Sequence, residues 1–127
     1  MKLTNKKINV RNILIVDDED SVRQLLGRLL NAEGYNVFEA VHCIDALDKL
    51  NMTKIDMVIT DLSIIWMYGR CFTKALRNRL GSMSIPVVIM ATRLRRHMKL
   101  EDYRVCEWLL KPLLYQQLAD TANRYST

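Results

Sequence analysis

Three unbroken apolar runs set the frame for this chain: Ile13-Leu14-Ile15-Val16, Met57-Val58-Ile59 and Val87-Val88-Ile89-Met90. A strand with one face in water alternates apolar and polar residues, because successive side chains point to opposite faces. Runs without alternation predict strands buried on both faces, the pattern of a parallel sheet between layers of helices. Two weaker segments, Asn36–Ala40 and 106–110, bring the expected number of strands to five.

Helical spacing fills the intervals. Val22, Leu25, Leu26, Leu29 and Leu30 recur three and four residues apart, as do Ala46, Leu47 and Leu50 and, more loosely, Cys71, Phe72, Ala75 and Leu80. Ser21 or Asp20 is the expected N-cap of the first helix and Gly34 its stop, while Gly81 and Pro86 mark the turn before the fourth strand. Strict alternation of strand and helix predicts an open α/β sheet with helices on both faces and right-handed crossovers. At 127 residues, with no internal repeat or low-complexity segment, the chain reads as one domain over residues 11–127 behind a basic tail, residues 1–10.

Composition narrows the function classes. The three cysteines, Cys43, Cys71 and Cys106, are odd in number and widely spaced, which suggests neither a disulfide framework nor a zinc site. No apolar stretch approaches the ~20 residues of a membrane span, so membrane insertion is not expected and a cytoplasmic location is the default. The net charge of +5 is concentrated in and just after the tail (Lys2, Lys6, Lys7, Arg11) and in Arg93, Arg95, Arg96, Lys99 and Arg104. No groove-entering motif or interleaved aromatic set accompanies those charges, so solvated surfaces, not direct DNA binding, are expected.

In open α/β sheets ligands bind beyond the carboxyl ends of the strands. There the sequence places Asp17 and Asp18 after the first strand, Asp61 after the third and Lys111 after the fifth. Each alone has a plainer explanation: a cap, a turn, a solvated acid. Converging, the carboxylates would repel one another by about 4 kcal/mol per pair at ~4 Å and an effective dielectric near 20, and a proton or a cation must relieve that. Hard oxygen ligands with open positions suit magnesium or manganese, which accept phosphate oxygens in place of water. Asp61 could then attack phosphorus in line, and Lys111 could pair with the resulting acyl phosphate.

The segments LIVDDE (Leu14 to Glu19), VITDL (Val58 to Leu62) with Gly69 eight residues after Asp61, IPVVIM (Ile85 to Met90) and LLKP (Leu109 to Pro112) resemble the receiver domain of bacterial two-component response regulators. The resemblance covers residues 11 to 125. It implies a flavodoxin-like (βα)5 three-layer sandwich with strand order 2-1-3-4-5. It also implies that Asp61 is the phosphoacceptor, that Asp17, Asp18, Asp61 and the backbone carbonyl of Ser63 hold the metal, that Lys111 senses the phosphate, and that Pro112 follows it in a turn. A histidine kinase or phosphotransfer protein is the implied donor, with the fourth helix, fifth strand and fifth helix as the implied output or homodimer face.

Three departures from the family pattern stand out. Five residues after Pro86, where the family has a switching hydroxyl, this chain has Ala91, with the hydroxyl displaced to Thr92. Alanine has no donor, so coupling between phosphate and the fifth-strand aromatic, here Trp108, is expected to be weakened or rewired through Thr92. The loop after Asp61 reads Ile64-Ile65-Trp66-Met67-Tyr68, apolar enough to dock a partner or to pack onto the third helix. The fourth-helix region carries Arg93, Arg95, Arg96 and His97, and a short or displaced helix is expected; Arg93 is a candidate to overhang the phosphoryl site.

The reading reached is a stand-alone receiver that takes a phosphoryl group onto Asp61 and signals by protein contact with a downstream partner. It is not an enzyme beyond its own phosphorylation and slow autodephosphorylation. The alternative is a pseudo-receiver acting as a phosphate-independent interaction module, which Ala91 supports and the intact acids and lysine oppose. A magnesium-dependent phosphohydrolase is disfavoured, because Ser63 stands where its acid–base aspartate belongs.

Overall fold

The computed structural model of the chain describes residues 10–61, 85–91, 107–110 and 115–124. Within them lie β1 (Asn12–Val16), α1 (Asp20–Ala32), β2 (Asn36–Ala40), α2 (Cys43–Met52), β3 (Met57–Asp61), β4 (Val87–Ala91), β5 (Glu107–Leu110) and a C-terminal helix, α3 (Tyr115–Arg124). The strands form one parallel sheet in the order β2-β1-β3-β4-β5. Its register sets Val16 beside Ala40 and Thr60, and Asp61 beside Met90. The five strands and their parallel order agree with the flavodoxin-like expectation.

The apolar runs divide their side chains between two faces. Leu14, Val16, Val58, Val87, Ile89 and Ala91 join the cluster that packs with Cys43 and Ala46 of α2. Ile13, Ile15, Met57, Ile59, Val88 and Met90 join the cluster that packs with Leu26 and Leu30 of α1 and Leu118 and Ala122 of α3. Helices on both faces leave no solvated side to this sheet, which is why the runs do not alternate. Cys43 is buried and not part of a disulfide.

Local signals position the helices. Gly34 adopts φ +100°, the Gly34 N–H donates to the Asn31 carbonyl and the Tyr35 N–H to that of Leu30, both at about 3 Å, so α1 ends in a Schellman turn. The start of α1 differs from expectation. Its N-cap is Glu19, with no side-chain cap, and Asp20 and Ser21 lie inside the helix. The Glu19 N–H is instead taken by Asp17 Oδ1 at 2.9 Å, so the acid before the helix does the capping work. The buried stripe of α1 is also rotated from the expected one: it runs Arg23, Leu26, Gly27 and Leu30, while Leu25 is 54% exposed.

His42 is the N-cap of α2. Its Nδ1 accepts the Asp45 N–H at 3.1 Å, and Asp45 Oδ2 reaches back to accept the Val41 N–H at 3.0 Å. Burial alone would raise the Asp45 carboxyl, but the Val41 N–H and the Lys49 ammonium outweigh it and hold the group below its ordinary value. The third-helix pattern at 71–80, the apolar loop 64–68 and the arginine-rich segment 93–104 lie outside the described residues.

Truncation of the fully buried Ile59 to alanine should destabilise the fold by about 2–5 kcal/mol in urea unfolding, whereas Leu25→Ala should stay within about 0.5 kcal/mol. The Asp45 cap has a pH signature. Its folded pKa lies below the unfolded one, so its contribution is present above the ordinary carboxylate range and is lost as pH falls through the depressed value. Asp45→Ala should therefore cost about 1 kcal/mol at neutral pH, and thermal unfolding measured down to acid pH should show the gap to the parent closing.

Candidate functional site: an acidic pocket at the carboxyl edge of the sheet

Parallel strands bring their carboxyl ends to one edge, and β1 and β3 are neighbours there. Asp17 follows the last residue of β1, and Asp61 is the last residue of β3. One carboxylate oxygen from each of Asp17, Asp18 and Asp61 lies within 4.8 Å of the other two. Asp17 is 1% exposed, Asp61 is 9% exposed, and Asp18 stands in solvent. The pocket thus has a buried floor and an open mouth.

The backbone around Asp17 is held at several points. Its N–H donates to the Ala40 carbonyl at 3.1 Å, extending the β1–β2 ladder by one residue. Its carbonyl accepts Arg23 Nη1 at 2.8 Å, and its carboxylate accepts the Glu19 N–H. Arg23, 7% exposed, also donates from Nε to Glu39 Oε1 of β2 at 2.9 Å and from Nη2 to Asp20 Oδ1 at 2.7 Å. Burial would pull its guanidinium down, but Asp20 and Glu39 outweigh that and hold it above its ordinary value. At β3, the buried Thr60 hydroxyl donates to the Asp61 carbonyl at 3.3 Å.

Three carboxylates converging from two strand ends form an all-oxygen donor set, which favours magnesium, manganese or calcium over soft metals. With one oxygen each inside 4.8 Å of the others, Asp17, Asp18 and Asp61 would hold such an ion and supply the negative charge that offsets its own. The expected metal residues Asp17, Asp18 and Asp61 are therefore brought together. Ala91 ends β4, 2% exposed, and Trp108 lies on β5 opposite Ile89. Ser63, Thr92, Lys111 and Pro112 lie outside the described residues.

Arg23 and Glu39 escaped the sequence reading. The signal was present: Arg23 occupies the first position of an i, i+3, i+4, i+7 stripe completed by Leu26, Gly27 and Leu30, where a cation must have an internal partner.

The fold and the pocket have counterparts among known proteins. Residues 13–123 match the family model described as the response regulator receiver domain, and the chain belongs to that family. It is therefore a receiver domain of two-component signalling, a class that generally binds magnesium at an acidic cluster. It is 30% identical to sporulation initiation phosphotransferase F of Bacillus subtilis over 115 residues, which are 89% of this chain and 91% of that protein. It is 42% identical to the Escherichia coli sensor protein EvgS over 74 residues, 58% of this chain but 6% of that much longer protein. The chemotaxis protein CheY4 of Vibrio cholerae superposes with a TM-score of 0.83 at 29% identity, covering 91% of this chain and 98% of that one.

Crowding of the three carboxylates sets a test for the pocket. In metal-free buffer Asp18→Asn, which removes one of the repelling charges, should raise the melting temperature by about 4 °C, the shift expected from roughly 1 kcal/mol in a chain of this size. Millimolar magnesium should raise the melting temperature of the parent and reverse that order.

Proposed function

We propose that the chain accepts a phosphoryl group from a phosphohistidine, borne by a sensor histidine kinase or a phosphotransfer protein, onto Asp61, and signals through contact with a downstream protein. The observation that carries this reading is the convergence of Asp61 with Asp17 and Asp18 on neighbouring strand ends. An Asp61 oxygen attacks phosphorus. The P–N bond to the donor imidazole breaks as the P–O bond forms, the bonding pair stays on the imidazole nitrogen, and the product is an aspartyl phosphate. Magnesium, when bound by Asp17, Asp18, Asp61 and the Ser63 carbonyl, would supply neutralising charge to the phosphoryl oxygens.

The protein's own groups do the rest. Asp61 is the nucleophile, held at the end of a strand whose five residues are all buried. Asp61 is 9% exposed, and a phosphoryl group would approach it from that open side. Lys111, directly after β5, would pair with the new charge, and Thr92 would offer the hydroxyl that Ala91 lacks. Positioning and charge neutralisation account for most of the rate in such transfers. Action in the cytoplasm, and a homodimer or output face built from the fourth-helix region, β5 and α3, belong to the same proposal.

One observation favours a second reading, a phosphate-independent interaction module: the buried Ala91 at the end of β4 leaves the usual switch position without a donor. Intact mass after incubation with magnesium and acetyl phosphate separates the two. The parent should gain one phosphoryl mass and Asp61→Asn none; no gain in the parent would leave the interaction module as the better account. Ala91→Thr should enlarge the phosphorylation-dependent change in tryptophan fluorescence, and an unaltered signal would argue against a switch weakened at Ala91.

A further inference from the structure

The backbone that carries Asp17 and Asp18 is set by a side chain outside the pocket. Arg23 sends three different nitrogens to three different elements: Nη1 to the Asp17 carbonyl at the end of β1, Nε to Glu39 on β2, and Nη2 to Asp20 in the first turn of α1. The bond to the Asp17 carbonyl is buried and, at 2.8 Å, short. It fixes the plane of the peptide joining Asp17 to Asp18, and that plane determines the directions in which both side chains leave the backbone. The Asp17 N–H on Ala40 and the Asp17 carboxylate on the Glu19 N–H complete the restraint.

Arg23 is itself held in place. Glu39 takes its Nε, and the Glu39 carbonyl is anchored from the other layer by Lys49 Nζ at 2.6 Å. Gly27, one turn beyond Arg23, leaves Glu39 room against α1: a Cβ there would meet Glu39 Oε2 at 3.3 Å, close enough that the carboxylate must give by a few tenths of an ångström, and Val37 Cγ1 at 3.4 Å. Removal of a cation beside an acidic pocket would, by charge alone, tighten the binding of another cation. A positional role predicts the opposite sign, which makes the two roles separable.

We propose that Arg23 is a positioning residue for the acidic pocket: its guanidinium fixes the Asp17–Asp18 peptide so that the carboxylates meet Asp61 ready for a divalent cation, with Glu39 and Gly27 keeping Arg23 in register. This rests on the reading of the pocket as a cation site. Outer groups that orient metal ligands typically account for about 10-fold to 100-fold in metal affinity. Lysine keeps the charge of Arg23 but gathers its three donors on one nitrogen, which cannot reach acceptors that the guanidinium meets from three nitrogens spread across its plane.

Calorimetric titration of the whole chain with magnesium, for the parent, Arg23→Lys, Arg23→Gln and Asp61→Asn, tests the proposal. Both Arg23 variants should bind about 10-fold more weakly; equal or tighter binding in either overturns the positioning role. Unchanged affinity in Asp61→Asn would instead overturn the cation-site reading on which it rests. Exchange of the Glu19 amide, followed without metal, should quicken in Arg23→Lys if the Asp17 turn loosens, and unchanged protection counts against the proposal. Should the Arg23 variants fail to fold, Gly27→Ala serves, since alanine favours the helix by about 1 kcal/mol. It presses on Glu39 and, more lightly, on Val37, touches neither Arg23 nor the acids, and should still weaken magnesium by a few-fold; parental affinity in that variant would overturn the support that Gly27 lends Arg23 through Glu39.

Discussion

Burial of the central strands on both faces is the constraint from which the rest follows. β1 and β3 have no face open to solvent, so polar chemistry cannot be carried along them and has to sit where they end. Parallel pairing then does what no local signal can, by delivering ends that are far apart in the chain to the same edge. The acids gather because the strands that carry them are adjacent and point the same way. The same two-sided packing gives the pocket its floor, since the residues immediately below Asp17 and Asp61 are Val16 and Thr60, both fully buried.

Much of this was legible in the sequence, for a physical reason. Two-sided burial erases alternation, so each central strand announces itself as an apolar run, and an acid at its end marks the edge: Asp17 directly after Val16, and Asp61 two residues after Ile59. Gly34 was equally legible, because a left-handed backbone at a helix end selects glycine. What stayed hidden was polar structure that depends on tertiary neighbours. Arg23 resembles any helix-surface arginine until β2 is placed beside α1 with Glu39 facing it, and His42 resembles a turn residue until Asp45 reaches back to complete the cap. The start of α1 was misplaced by one or two residues for the same reason: the N-cap is Glu19, whose N–H is taken by Asp17 rather than by a cap inside the helix.

The polar network therefore has a different character from the core. The core clusters hold the layers together without direction, whereas Arg23, Glu39, Asp20 and Lys49 specify angles. Asp20 is largely open to water and Glu39 partly so, so their attraction for Arg23 is screened and adds little to net stability. Their value lies in geometry, as a buried guanidinium with fixed partners can take only one pose. The pocket's shape is in this sense inherited from the packing of α1 on β2, two elements that contribute none of the three acids.

The strand order carries a consequence for how the chain is made. β2, β1 and β3 lie side by side and are all contained in residues 12–61, so the first half of the chain can assemble its part of the sheet from contacts of modest sequence separation. Until β4 is synthesised, however, the outer edge of β3 has no partner, and that edge belongs to a strand whose five residues are all buried in the finished fold. A nascent or truncated chain that stops short of β4 thus presents an open, apolar template to its neighbours, the kind of edge that invites intermolecular pairing. The arrangement that brings Asp61 into the pocket is also the one that leaves the half-made molecule most exposed to aggregation.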